Sequence, residues 1–170
     1  NVFAMPRMEK FLRNNGPWSQ LVDYKNIEIF PLADQVLVEL SGGIKVKPYQ
    51  VPHRDEFSET VAFEIKSSKK SVLFLPDIDS WSEWESEYGH SLQERVAAVD
   101  LAFLDATFFD NNELPGRDMS EIPHPRMVET MEVFDNLPET EKNKVYFIHL
   151  NHTNPARFFT SSAYKNISER

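Results

Sequence analysis

The sequence predicts a layered α/β fold, in the mixed α+β sense, with an antiparallel strand meander first and strand–helix alternation second. Three observations carry this. Short apolar runs separated by polar turns fill residues 27–75; beyond residue 91, helical spacing alternates with buried strand patterns. No repeat, low-complexity stretch or linker divides the 170 residues, so they are expected to form one domain.

In chain order, Val2–Ala4 is a short apolar piece ended by Pro6. Met8–Asn15 has helical spacing through Met8, Phe11 and Leu12, and Asn15-Gly16-Pro17 is its stop signal. Trp18 and Leu21 read as a satellite of the core. Ile27–Phe30, Gln35–Leu40 and Ile44–Tyr49 read as strands, the last two joined by the hairpin signal Ser41-Gly42-Gly43. Thr60–Ile65 and Ser71–Leu75 continue the meander across the polar turn Lys66–Lys70. Ser91–Ala98 then reads as helix and Leu101–Leu104 as buried strand. Arg126–Phe134 reads as amphipathic helix and Val145–Leu150 as buried strand.

Composition removes several functions. A net charge of −9 without a basic cluster argues against nucleic acid, because a binder must neutralise phosphates. No apolar stretch approaches the roughly 20 residues of a membrane span. The lack of cysteine excludes disulfides, thiolate ligands and a cysteine nucleophile. A small-molecule substrate is the expected partner, a homodimer is the assembly to test for, and the cytoplasm is the default compartment. The chain opens with Asn1, without a charged-then-apolar leader, so a removed leader or a missing N-terminal part is expected.

The chemistry-bearing residues cluster where predicted strands end, the usual place for site residues in layered α/β proteins. His53, in Pro52-His53-Arg54-Asp55, reads as a ligand, a base or a surface loop histidine. Asp77 and Asp79 follow a buried run and suit a cation; an N-cap role competes for Asp79. Asp105 ends an apolar strand and is expected to be buried, either orienting a ligand histidine or acting as a hydrogen-bonding hub. His124 precedes a helix, where the positive dipole end is expected to lower its pKa and favour anions; a plain turn residue is the alternative. His149 and His152, three residues apart, follow the last strand, and two histidines there point to a metal or substrate. Asn151-His152-Thr153 is formally a glycosylation sequon, though it lies beside a buried strand.

The order His53, Asp77, His149 resembles the C-terminal part of the metallo-β-lactamase superfamily. There a histidine, an aspartate and a histidine after successive strands complete a binuclear site. Asp105-Ala106-Thr107-Phe108 resembles the strand end of its transfer-RNA-processing and phosphodiesterase branch, and His124 resembles that branch's leaving-group histidine. A closer resemblance is to the pyrroloquinoline quinone biosynthesis protein B group. It rests on Pro52-His53-Arg54-Asp55, Asp105-Ala106-Thr107-Phe108-Phe109 with Glu113-Leu114, Arg117-Asp118-Met119, and Ile148-His149-Leu150-Asn151-His152-Thr153-Asn154-Pro155. That group tends to lack counterparts of Asp77, His124 and His152. The superfamily's first motif, His-x-His-x-Asp-His, is absent from these residues.

The resemblance implies an αββα sandwich of which residues 1–170 are the C-terminal portion, with the N-terminal part missing. It implies metal held by His53, Asp77 and His149, with two zinc ions in the complete protein, or iron as the alternative. Under it, His124 and Asp105 are the catalytic pair, while His152 and Asp79 face substrate or support the ligands. The implied activity is metal-dependent hydrolysis of an ester or phosphodiester. An iron-dependent oxygenase related to quinone biosynthesis and a degenerate, non-catalytic binding domain are the alternatives.

Overall fold

The computed structural model describes residues 1–169. Its centre is a six-stranded sheet in the order β3-β4-β5-β6-β7-β8. These strands are β3 (Val38–Glu39), β4 (Lys45–Gln50), β5 (Val61–Lys66), β6 (Ser71–Leu75), β7 (Leu101–Asp105) and β8 (Val145–Ile148). The first three junctions are antiparallel and the last two parallel, so the meander gives way to strand–helix alternation as the sequence predicts. Gly42 and Gly43 close the β3–β4 hairpin with φ of 80° and 74°, a region open to glycine at little steric cost.

Helices cover one face of this sheet. They are α3 (Trp81–Tyr88) and α4 (Leu92–Ala97) between β6 and β7, and α5 (Met127–Phe134) and α6 (Glu139–Lys142) between β7 and β8. Strand period two sends Tyr49, Ala62, Leu73, Leu75, Ala102 and Leu104 to this face, where they pack with Trp84, Leu92, Val96 and Phe134. Ser80 starts α3 by accepting from Glu83 N at 3.3 Å, and Gly89, at φ 72°, ends it.

On the other face, register lines Phe63, Phe74, Phe103 and Tyr146 into one row across four strands. Phe74 remains 40% exposed and Tyr146 49%. A smaller core of Ala106, Met127, Ala156 and Ala163 lies beneath the loops, closed by α7 (Ser162–Ser168).

Several expectations are corrected. Ile27–Phe30 does not extend the meander: β2 (Ile29–Pro31) pairs in parallel with β1 (Val2–Ala4) in a separate two-stranded sheet. Gln35–Leu40 shrinks to β3, because Gln35 adopts φ 58° and breaks the extended run. Trp18 and Leu21 are not core. They lie on α2 (Trp18–Asp23), which packs beside α1 (Pro6–Asn14), and are 43% and 42% exposed. Strand β8 stops at Ile148, two residues early, because His149 turns to φ 64°.

Candidate metal centre

Strand direction assembles the site. β4 and β6 both run antiparallel to β5, and β7 and β8 run parallel to β6, so the loops leaving β4, β6, β7 and β8 emerge at one edge. Those loops carry His53, then Asp77 and Asp79, then Asp105 and Thr107, then His149. Backbone bonds tie them together: Asp79 N donates to Pro52 O (2.8 Å), Ala106 N to Ile148 O (2.9 Å) and Asn151 N to Thr107 O (3.0 Å). Asn154, fully buried, adds Nδ2 to Ala106 O at 2.8 Å.

Asp105 is the hub. It is fully buried, and its Oδ2 accepts from Ile78 N (3.1 Å) and His124 Nδ1 (2.9 Å). Its Oδ1 accepts from Thr107 N and Thr107 Oγ1, both at 2.7 Å. These bonds fill the roughly four lone-pair positions of a carboxylate. The same Thr107 Oγ1 lies 3.1 Å from His149 Nδ1.

His53 lies between two acids, with Nδ1 2.7 Å from Asp79 Oδ1 and Nε2 3.2 Å from Asp77 Oδ2. With Nδ1–H donating to Asp79, the Nε2 lone pair faces a carboxylate oxygen, a contact that calls for a proton or a cation between them. Asp77 Oδ1 is buried without a hydrogen-bond partner and stands 3.7 Å from His124 Nδ1. Ligand-type atoms of Asp77, Asp105 and His149 lie within 4.8 Å of one another. An orphaned carboxylate oxygen among oxygen and imidazole donors fits a divalent cation. Asp105 is within reach of such an ion, but its lone pairs are already engaged, so of these three Asp77 and His149 keep donor atoms open.

His124 departs from its predicted electrostatics. Burial works against its charged form, but the hydrogen bond and charge of Asp105, with the charges of Asp77 and Asp79, outweigh it and raise the pKa above 6.5. The dipole argument fails because α5 is capped at Arg126, while the His124 ring turns back to the acids. The buried Arg126 holds this segment through Nη1 to His124 O at 2.7 Å and through Nη2 to Met119 O. The N-cap alternative for Asp79 falls to Ser80. His152 stays outside the cluster: it is exposed and bonds Asn151 Oδ1 at 3.0 Å. Thr107, Asn154 and Arg126 were missed as site residues; the signal for Thr107 was its place in the Asp105-Ala106-Thr107 strand end.

A cleft of about 610 Å³ opens beside the cluster, lined by Asp79, His124, Trp81, Glu85, Glu129 and Glu132 among others. Among the described residues, no lysine or arginine lines it.

A family model described as a beta-lactamase superfamily domain matches residues 1–150. The chain belongs to this superfamily. Coenzyme PQQ synthesis protein B of Gluconobacter oxydans (strain 621H) is 26% identical over 114 residues, covering 64% of this chain and 35% of that protein. Among solved structures, Zn²⁺-bound PqqB from Methylobacterium extorquens superposes with TM-score 0.73 at 16% identity, over 98% of this chain and 59% of that one. A diphosphatase from the PhnP family gives TM-score 0.53 at 19% identity, over 91% of this chain and 49% of that one. The chain thus spans little more than a third of the curated relative and under two thirds of the solved PqqB. The superfamily fold agrees with the predicted layered architecture. No helix among the described residues is long and apolar enough to cross a membrane.

Proposed function

We propose that this chain contributes the ligand and proton-donor half of a metal-dependent hydrolase site, acting on an ester or a phosphodiester. The observation that carries the reading is the buried, unpartnered Asp77 Oδ1 among His53, His124 and His149. Asp77, His149 and His53 would hold zinc; Asp105 orients the histidines. When bound, the ion supplies Lewis acidity and lowers the pKa of water toward about 7. The chain's own residues do the rest. His124 lines the cleft with a raised pKa, so its Nε2–H is available as a proton donor to a leaving oxygen, while Nδ1 is held by Asp105. Asp79 holds the His53 ring through Nδ1. The acidic cleft wall favours a substrate whose leaving part is neutral or cationic.

The superfamily membership and the share of the relatives that is matched support assigning these residues to part of a larger metallo-β-lactamase-fold domain, with further ligands from polypeptide beyond them. The likeness to coenzyme PQQ synthesis protein B favours a second reading, a role in quinone-cofactor synthesis with iron at the same donors.

Zinc titration with mass analysis of the full-length protein, together with hydrolysis of a phosphodiester with an alkyl leaving group, which needs a proton donor, tests the proposal. Asp77→Ala and His149→Ala should each lose bound zinc, and unchanged stoichiometry would sink the ligand assignment. His124→Ala should keep zinc while turnover falls by about 10²–10⁴-fold, the usual range for a general acid. Loss of zinc in that variant would make His124 a ligand instead.

A further inference from the structure

The hydroxyl of Thr107 stands between the hub carboxylate and a ligand imidazole. A threonine hydroxyl has one hydrogen to give and two lone pairs. Its Oγ1 lies 2.7 Å from Asp105 Oδ1, and an ionised carboxylate only accepts, so the hydrogen goes to Asp105. What Oγ1 presents to His149 Nδ1, 3.1 Å away, is a lone pair. Nδ1 must therefore carry the ring proton, and in neutral imidazole the lone pair then resides on Nε2.

We propose that Thr107 is a positioning residue that fixes His149 as the Nδ1–H tautomer, leaving Nε2 bare for a divalent cation. Water favours the opposite tautomer of neutral histidine, so the hydroxyl selects against the solution preference. The geometry is well held. Thr107 is 9% exposed, its N–H also binds Asp105 Oδ1 at 2.7 Å, and its carbonyl accepts from Asn151 N beyond the histidine. One buried carboxylate thereby orients two imidazoles, His124 directly through Oδ2 and His149 through Thr107 from Oδ1.

The zinc part of this inference rests on His149 being a ligand, as in the proposed function; the tautomer part does not. Long-range ¹⁵N–¹H spectra of the metal-free chain at pH 8 read the His149 ring directly. Wild type should show a protonated Nδ1 and a bare Nε2. Thr107→Val keeps the backbone bond to Asp105 and the side-chain shape, and it should shift His149 toward Nε2–H. Zinc affinity should then fall by about 10–100-fold, as for other groups that orient ligands. Thr107→Ser should restore both. An Nε2–H ring in wild type would overturn the assignment, as would a Val variant with unchanged tautomer, whatever its zinc affinity. A tautomer that responds to Thr107 in a full-length protein that binds no zinc would uphold the hydroxyl's role and refute the hydrolase reading instead.

Discussion

His90 and His124 are both largely withdrawn from water, yet their surroundings drive them in opposite directions. His90, 6% exposed, packs against Trp84 and Tyr49 with ring centroids 5.4 and 5.0 Å away, and its Nε2 has no hydrogen-bond partner. Burial leads, helped by the charges of Arg95 and Lys47 and opposed by Asp34, and its pKa falls below 6.5. His124, with 15% of its side chain exposed, meets the same penalty but faces Asp105, Asp77 and Asp79, and its pKa rises. Burial alone makes a neutral core histidine; burial among acids makes a proton donor. The distinction lies in what the neighbouring strands bring, which one segment of sequence cannot show.

The largest expected effect tests the aromatic side of this contrast. Trp84 is fully buried and donates Nε1–H to Gln50 O at 2.8 Å. Trp84→Ala should destabilise the chain by about 3–5 kcal/mol in urea unfolding. It should also move the His90 titration back up toward 6.5, and a His90 shift that stays put would break the comparison.

A smaller effect tests the acidic side. Asp105→Asn leaves donors of Ile78, Thr107 and His124 facing an amide and should lower stability by about 1–3 kcal/mol. In the metal-free chain it should lower the His124 pKa and move its titration toward that of His90, against the remaining charges of Asp77 and Asp79.

The mildest effect is the shape of the stability–pH curve. A lowered pKa at His90 means that the unfolded chain binds more protons, so that contribution is present above pH 6.5 and is lost as pH falls below it. A raised pKa at His124 contributes fully below pH 6.5 and is lost as pH rises through its folded value. The histidine part of the stability of the metal-free chain should therefore peak near pH 6.5. His90→Gln should flatten the acidic limb and His124→Gln the alkaline limb; limbs unchanged by both variants would remove the titration argument.

Much of this was legible in the sequence because buried strands announce themselves. Leu73–Leu75 and Leu101–Leu104 are apolar runs, and the acid or histidine ending such a run stands out. That is why His53, Asp77, Asp79, Asp105 and His149 could be named beforehand, with His124 named by its place before a helix, and all six meet at one edge. What escaped depends on distant partners. α3 buries only Trp84 among its eight residues, so its periodicity is faint. β1 finds β2 across more than twenty residues, and nothing local marks that pairing. Thr107 meets His149 at a separation of 42 residues, and an isolated threonine gives no hint of which hydrogen bond it will complete. The dipole reading of His124 went wrong for the same reason, since its acids come from β7 and the loop after β6.

The row Phe63, Phe74, Phe103, Tyr146 has a consequence for the chain in solution. A flat aromatic strip on a sheet face attracts any similar surface through the hydrophobic effect, which salt does not weaken. What opposes it between identical copies is the net charge of −9, whose reach shrinks to about 8 Å at physiological ionic strength. The colloidal behaviour of these residues is therefore a contest between a long-range repulsion that dilute buffer preserves and a contact attraction that survives in brine. In light scattering of these residues, rising salt should therefore strengthen attraction between copies and low salt should weaken it.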